Sequence, residues 1–253
     1  MTSKTATNTT GVTSPPPTNA VQFSAYIARA MDQVKQTTKG PVLFAPTAPT
    51  FHPSVQFIGV QESASEDEYT VRLFSSSSSV PLNDPTLNHL SASSLLGMFS
   101  GRYYPSHNTA MNELNEQFDV KKVGAPVDTN GVMKEYSTGQ SYSTGTLANS
   151  DYPQHVMEWQ EGKWTIDVFG APSLDFLHDA EQVDSFLQSH ALPPTDGRVL
   201  INPDVTGTPI AQIGWVFGNT LYQCEAPLTS STRWNALQMA VSMREYDNYK
   251  VEP

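Results

Sequence analysis

The chain has 253 residues, room for one large domain or two small ones, and its 14 Lys and Arg against 25 Asp and Glu give a net charge of −11. The charge speaks against nucleic acids and anionic membranes as partners, because displacing counterions takes a basic patch and the longest basic cluster is Lys121-Lys122. Only 15% of residues are charged, so Ser, Thr, Asn and Gln hydrate the surface, as in an acidic soluble protein or one exposed to acid outside the cell.

Residues 1–20 are rich in Thr, Ser, Asn and Pro, with Pro15-Pro16-Pro17, and predict a disordered tether. Such a stretch is the linker expected behind a removed leader or lipid anchor, so the expected location is extracytoplasmic, with Met1 an artificial start. Phe23, Ile27, Ala30, Met31 and Val34 then recur at helical spacing until Gly40-Pro41. Val42–Pro46 reads as a short strand.

Val55–Val60 and Tyr69–Phe74 predict two strands joined by an acidic turn, with Tyr69, Val71 and Leu73 on one face. Leu95–Tyr104 holds Phe99-Ser100-Gly101-Arg102-Tyr103, read as a degenerate aromatic–glycine turn. A helix is expected from Ser106, with Ala110, Met111, Leu114 and Phe118 inward. Gly124–Gly131 reads as loop, Val132–Tyr136 as a strand, and Ser137–Ser150 as a polar connection.

Two hairpins follow. In Trp159-Gln160-Glu161-Gly162-Lys163-Trp164 a turn at Glu161-Gly162 sets Trp159 opposite Trp164; in Trp215–Tyr222 a turn at Gly218-Asn219 sets Trp215 opposite Tyr222. A helix should run from Leu174 to about His190, capped by Ser173. A last one, capped by Ser231 or Thr232, should carry Trp234, Leu237, Val241 and Met243 or Arg244. The expected fold is therefore α+β: a curved antiparallel sheet with helices on one face, built from an internal hairpin–helix repeat. The expected organisation is a half over 21–150, a second half over 151–246, and a polar tail over 247–253.

Chemistry is sparse. The single cysteine, Cys224, excludes an internal disulfide and any multi-cysteine zinc site. The six histidines fall in no metal-ligating spacing, and there is no nucleophile elbow, phosphate loop or dinucleotide fingerprint. No catalytic residue, metal or cofactor is expected. His178-Asp179 reads as a solvated pair, the carboxylates around Glu66 and Asp175 as solvated turns and helix faces, and Asn202–Gly207 as a calcium loop lacking its alternating acids. The aromatics remain. Trp159, Trp164, Trp215, Tyr222, Trp234 and Tyr103 are the candidate ligand-binding residues, unless they form the layer between sheet and helices.

Over roughly the last 100 residues, estimated from where the periodic signal persists, Trp159, Gly162 and Trp164 with the helix after Ser173, and Trp215, Gly218 and Tyr222 with Ala236–Met243, make one pattern. It resembles secreted or lipid-anchored envelope domains of Gram-positive bacteria, and more distantly the half-barrel folds of envelope lipoprotein carriers. The resemblance implies a non-catalytic protein that binds a protein, lipid or cell-wall component. Two alternatives stand beside it: a surface or filament subunit assembling by N-terminal strand addition, with self-association, and a carboxylate-based hydrolase. No transmembrane segment is expected.

Overall fold

The structure is a computed structural model describing residues 21–51, 55–129, 131–143, 151–170, 174–202, 210–227 and 234–246. The expected tether, the Ser173 cap, the calcium-like loop, the cap of the last helix and the polar tail all involve residues outside these. Among the described residues, four helices and twelve strands make an α+β fold around one large, mostly antiparallel sheet.

Apolar spacing builds the first element as expected. α1 (Ala25–Thr37) buries Ile27, Ala30, Met31 and Val34 against the sheet. A short strand β1 (Phe44–Pro46) follows, then the meander β2 (Phe57–Ala64), β3 (Glu68–Ser76) and β4 (Leu95–Tyr103). Tyr69, Val71 and Leu73 do share the buried face of β3.

α2 (His107–Gln117), capped by the Ser106 hydroxyl accepting from Thr109 N, leads to the far edge of the sheet. There the chain turns inward through β5 (Val123–Asp128), β6 (Lys134–Ser143), β7 (Asp151–Glu161) and β8 (Trp164–Gly170). α3 (Leu174–Ser189) then returns it to β9 (Gly197–Asn202), which pairs with β8 in parallel, the crossover such a pairing requires. β10 (Ile210–Phe217) and β11 (Thr220–Pro227) close the sheet onto β4. The order is β2-β3-β4-β11-β10-β9-β8-β7-β6-β5, so strands from before and after residue 150 share one sheet. α4 (Asn235–Val241) leads to β12 (Met243–Glu245), which pairs with β1.

Several local expectations are corrected. Leu95–Tyr103 is one continuous strand, and Gly101 is no turn: a Cβ there would lie 2.5 Å from the Tyr69 ring. β5 occupies the expected loop, and β6 runs through Ser137–Ser143. The last helix stops before Met243 because the Ser242 hydroxyl donates to Gln238 O and Met239 O, saturating its final carbonyls. The first hairpin turns at Gly162-Lys163, not Glu161-Gly162, so Trp159 faces Ile166 and Trp164 faces Glu161. The second turns at Gly218-Asn219 and pairs Trp215 with Tyr222 as expected. Both glycines take φ near +60° while the residue after each does not, the pattern of a type II′ turn.

Helices cover both faces, not one. α1, α3 and α4 lie on the face carrying Trp215 and Tyr222, whereas α2 packs Leu114 and Phe118 against Gly214, Val216 and Leu221 behind it. Towards their hairpin turn β10 and β11 are apolar on the rear face too, through Gly214, Val216 and Leu221, so that end needs cover on both sides.

Both outer edges of the sheet are guarded. Asn83, the sole described non-glycine residue at positive φ, stands in for a strand beside β2. Its N–H donates to Val60 O, its Oδ1 accepts from Glu62 N and its Nδ2 donates to Glu62 Oε1. At the other edge β5 is short, bulged against β6 and interrupted by Pro126. Charge, bulge and proline are the devices that keep an edge from pairing with another chain.

Candidate functional site

One register row explains most of the aromatic residues. Tyr69, Gly101, Tyr222, Trp215, Gly197 and Trp164 lie side by side across β3, β4, β11, β10, β9 and β8, all on the face under α1, α3 and α4. Strands sit about 4.8 Å apart, too close for large rings on every one. The glycines make the space: a Cβ on Gly197 would come within 2.4 Å of the Trp164 ring, as one on Gly101 would meet Tyr69. Trp215 stacks on Tyr222 at 5.7 Å and lies 6.2 Å from Trp164.

The polar tips of these rings tie down the segments above them. Tyr69 Oη donates to Phe44 O at 2.7 Å, Tyr222 Oη donates to Val42 O, and Trp164 Nε1 donates to Pro193 O at 3.0 Å. Trp164, Trp215 and Tyr222 are therefore buried in the layer between sheet and cover, and so is Trp159, two residues further along β7. Trp234 lies elsewhere, half-buried between α4 and α3. It stacks on Phe186 at 5.9 Å, and Phe186 stacks on His190 at 4.2 Å.

Tyr103 is different. Two residues beyond Gly101 on β4, in the next row on the same face, it is 38% exposed, and Phe217, across Thr220 from it, is 50% exposed. Phe44 lies 5.5 Å from Phe217 in an edge-on contact, and Val42, 39% exposed and held by Tyr222 through its carbonyl, completes a rim of apolar groups beside the buried row. Sequence reasoning missed Phe217. Its signal was its place beside the Gly218 turn, on the face of Trp215 but past the last covering segment.

At the Trp164 end of the row a cleft of about 630 Å³ opens between the first hairpin turn (Glu161–Trp164), the last turn of α3 and the loop to β9. Only Trp164 among the expected residues lines it.

Behind the sheet, Glu158 and Asp167 stand directly opposite each other on β7 and β8. Two facing carboxylates repel, and Lys122, from the segment after α2, sits between them. Its Nζ lies 2.9 Å from Asp167 Oδ1, as an ion pair rather than an aligned hydrogen bond, hydrogen-bonds Glu158 Oε2, and stands 5.3 Å from the Tyr136 ring centroid. Burial raises the pKa of Asp167 against the pull of Lys122. For Lys122, burial acts downward and is outweighed by Glu158 and Asp167, leaving it raised. One ammonium thus bridges both acids.

His155 Nδ1 lies 2.6 Å from Glu135 Oε1, and exposed His178 bonds Gln182. Cys224 is fully buried, and burial followed by the charge of Glu225 raises its thiol well above the ordinary value. Among the described residues no three metal-ligating side chains converge, and no helix is long and apolar enough to cross a membrane. No protein-family model, curated protein or solved structure matches the chain.

Proposed function

We propose that the chain is a non-catalytic binding protein of the cell envelope, working outside the cytoplasm, that docks its partner on the aromatic rim formed by Val42, Phe44, Tyr103 and Phe217. The observation that carries this reading is Phe217, the most exposed of the described aromatic side chains, in edge-on contact with Phe44 and across Thr220 from exposed Tyr103. A contiguous exposed apolar group costs solubility, and proteins keep such patches chiefly where something covers them. The net charge favours a partner that is neutral or basic.

The envelope location rests on the Pro- and Thr-rich start and on the resemblance of the two hairpin–helix stretches. We read those stretches as a repeat, since in each hairpin a tryptophan stands three residues before the turn glycine and faces the residue four after it. A sheet bowed around the row of rings would suit the half-barrel likeness. Assembly by strand addition is the weaker reading, because both outer edges carry guards.

The test is retention of purified protein on isolated envelope fractions, comparing wild type with Phe217→Ser and Tyr103→Ser. We expect each variant to lose at least severalfold retention while unfolding at the wild-type temperature. Equal retention by all three proteins sinks the rim assignment. Recovery of the chain from the cytosol of its own cells, rather than from the envelope, sinks the location.

A further inference from the structure

We infer that the cleft between the first hairpin turn and the end of α3 binds a neutral saccharide ring. This rests on the envelope-binding reading and adds a second, separate contact to it. At about 630 Å³ the cleft is large enough for a ligand of two or three rings.

Its chemistry narrows the ligand by elimination. One wall is the C-terminal turn of α3, the negative end of a helix dipole, and Glu161 adds a carboxylate. Anions such as phosphate polymers are therefore repelled. The one lysine of the lining, Lys163, is drawn towards Asp196 at 4.0 Å. A purely apolar ligand would strip water from Glu161, Gln188, Ser189 and His190 without replacing its hydrogen bonds, which is costly. What fits is a molecule with an apolar face and many neutral hydroxyls.

His190 is built to receive it. One face of its imidazole stacks on Phe186, with planes 8° apart. Its Nδ1 lies 3.0 Å from Phe186 O, which can only accept, so Nδ1 carries the proton and Nε2 is left as an acceptor when the ring is neutral. Nδ1 also lies 2.9 Å from Ser189 Oγ, and no other described aromatic ring stacks on the imidazole, which lines the cleft and can meet the C–H face of a sugar there. Glu161 Oε atoms accept from its hydroxyls, Gln188 offers the carbonyl oxygen left over from its bond to Asp184, and Leu192 and Pro194 supply the apolar wall.

Chitotetraose, a neutral tetramer of N-acetylglucosamine, is the probe, titrated calorimetrically into the full chain. We expect saturable binding. Glu161→Gln should weaken it about tenfold, by removing hydrogen bonds to a charged acceptor, and His190→Ala severalfold, by removing the stacking face. Lys163→Ala should leave it unchanged within about twofold, since a charge this exposed contributes little. No saturable binding, or binding indifferent to both Glu161→Gln and His190→Ala, overturns the inference. So does binding of polyglycerol phosphate that Lys163→Ala abolishes. If envelope retention stays sensitive to Phe217→Ser while chitotetraose fails to bind, the cleft assignment falls alone and the rim reading stands.

Discussion

Replacing Lys122 by methionine keeps its aliphatic stem and removes the one cation between Glu158 and Asp167. Asp167 then bears the cost, because its side chain is only 4% exposed and cannot rehydrate where it stands. Stranding a buried charge costs roughly 3–5 kcal/mol. Glu158 can turn partly to water and Asp167 can take up a proton, so the lower figure, about 3 kcal/mol at pH 7, is expected. In a chain of this size that lowers Tm by roughly 6–12 °C.

The pH dependence has a definite sign. Asp167 already has a folded-state pKa above its ordinary 3.8, and losing Lys122 raises it further. The folded protein then holds this proton more tightly than the unfolded one, so the stability it confers is complete below 3.8 and disappears as pH rises through the folded value. Urea unfolding followed by tryptophan fluorescence should show a large penalty at pH 7 and a much smaller one at pH 4. Adding Asp167→Asn to Lys122→Met should recover at least half of it at pH 7. A pH 7 penalty under about 0.5 kcal/mol, the scatter of an ordinary surface substitution, or one equal at both pH values, would refute the account.

Gly197→Ala drives a Cβ to 2.4 Å from the Trp164 ring and should cost about 1–3 kcal/mol, with an altered near-ultraviolet circular dichroism spectrum; an unchanged spectrum refutes the tight row. Asn83→Ala loses both side-chain bonds to Glu62 and puts alanine at φ 61°, a loss of roughly 1–3 kcal/mol. Because it also uncovers β2, sedimentation velocity should show association growing with concentration, and a strictly monomeric variant would show that Asn83 guards nothing. Cys224 should resist a thiol-specific chromogenic reagent in native protein and react only in urea. Rapid native labelling would contradict its burial.

Elements whose pattern is local were readable in the sequence. α1 announced itself because Ile27, Ala30, Met31 and Val34 must share one face of a helix whatever surrounds them. The second hairpin was placed in register because Gly218-Asn219 offers one natural turn. The first slipped by a residue: Gly162 takes the first central position of its turn, and from composition alone the second fits as well.

Gly101 was misread for a deeper reason. Its purpose is to admit the ring of Tyr69 on another strand, and nothing near it in the chain says so. β5 carries six exposed residues and so has no alternation to detect, while β9 owes its parallel partner to the α3 crossover. The aromatic residues of the candidate site were visible as a class. Their separation into a buried row and an exposed rim depends on where Val42–Phe44 and Pro193 are pinned, contacts between distant segments. The cleft joins residues 161–164 to the far end of α3, and Lys122 reaches Glu158 across 36 positions.

The pairing of β4 with β11 has a bearing on how the molecule comes into being. During synthesis the first meander emerges with its inner border bare, and its partner β11 follows only after β5 to β10. The ties that complete it are longer still: Tyr222 reaches Val42 across 180 positions and Tyr246 reaches Ala28 across 218. A ribosome-bound fragment therefore has no stable resting place short of the whole, and folding should be slow and nearly all-or-none. Cutting the chain at Ser242 would therefore unfasten the first helix along with β12.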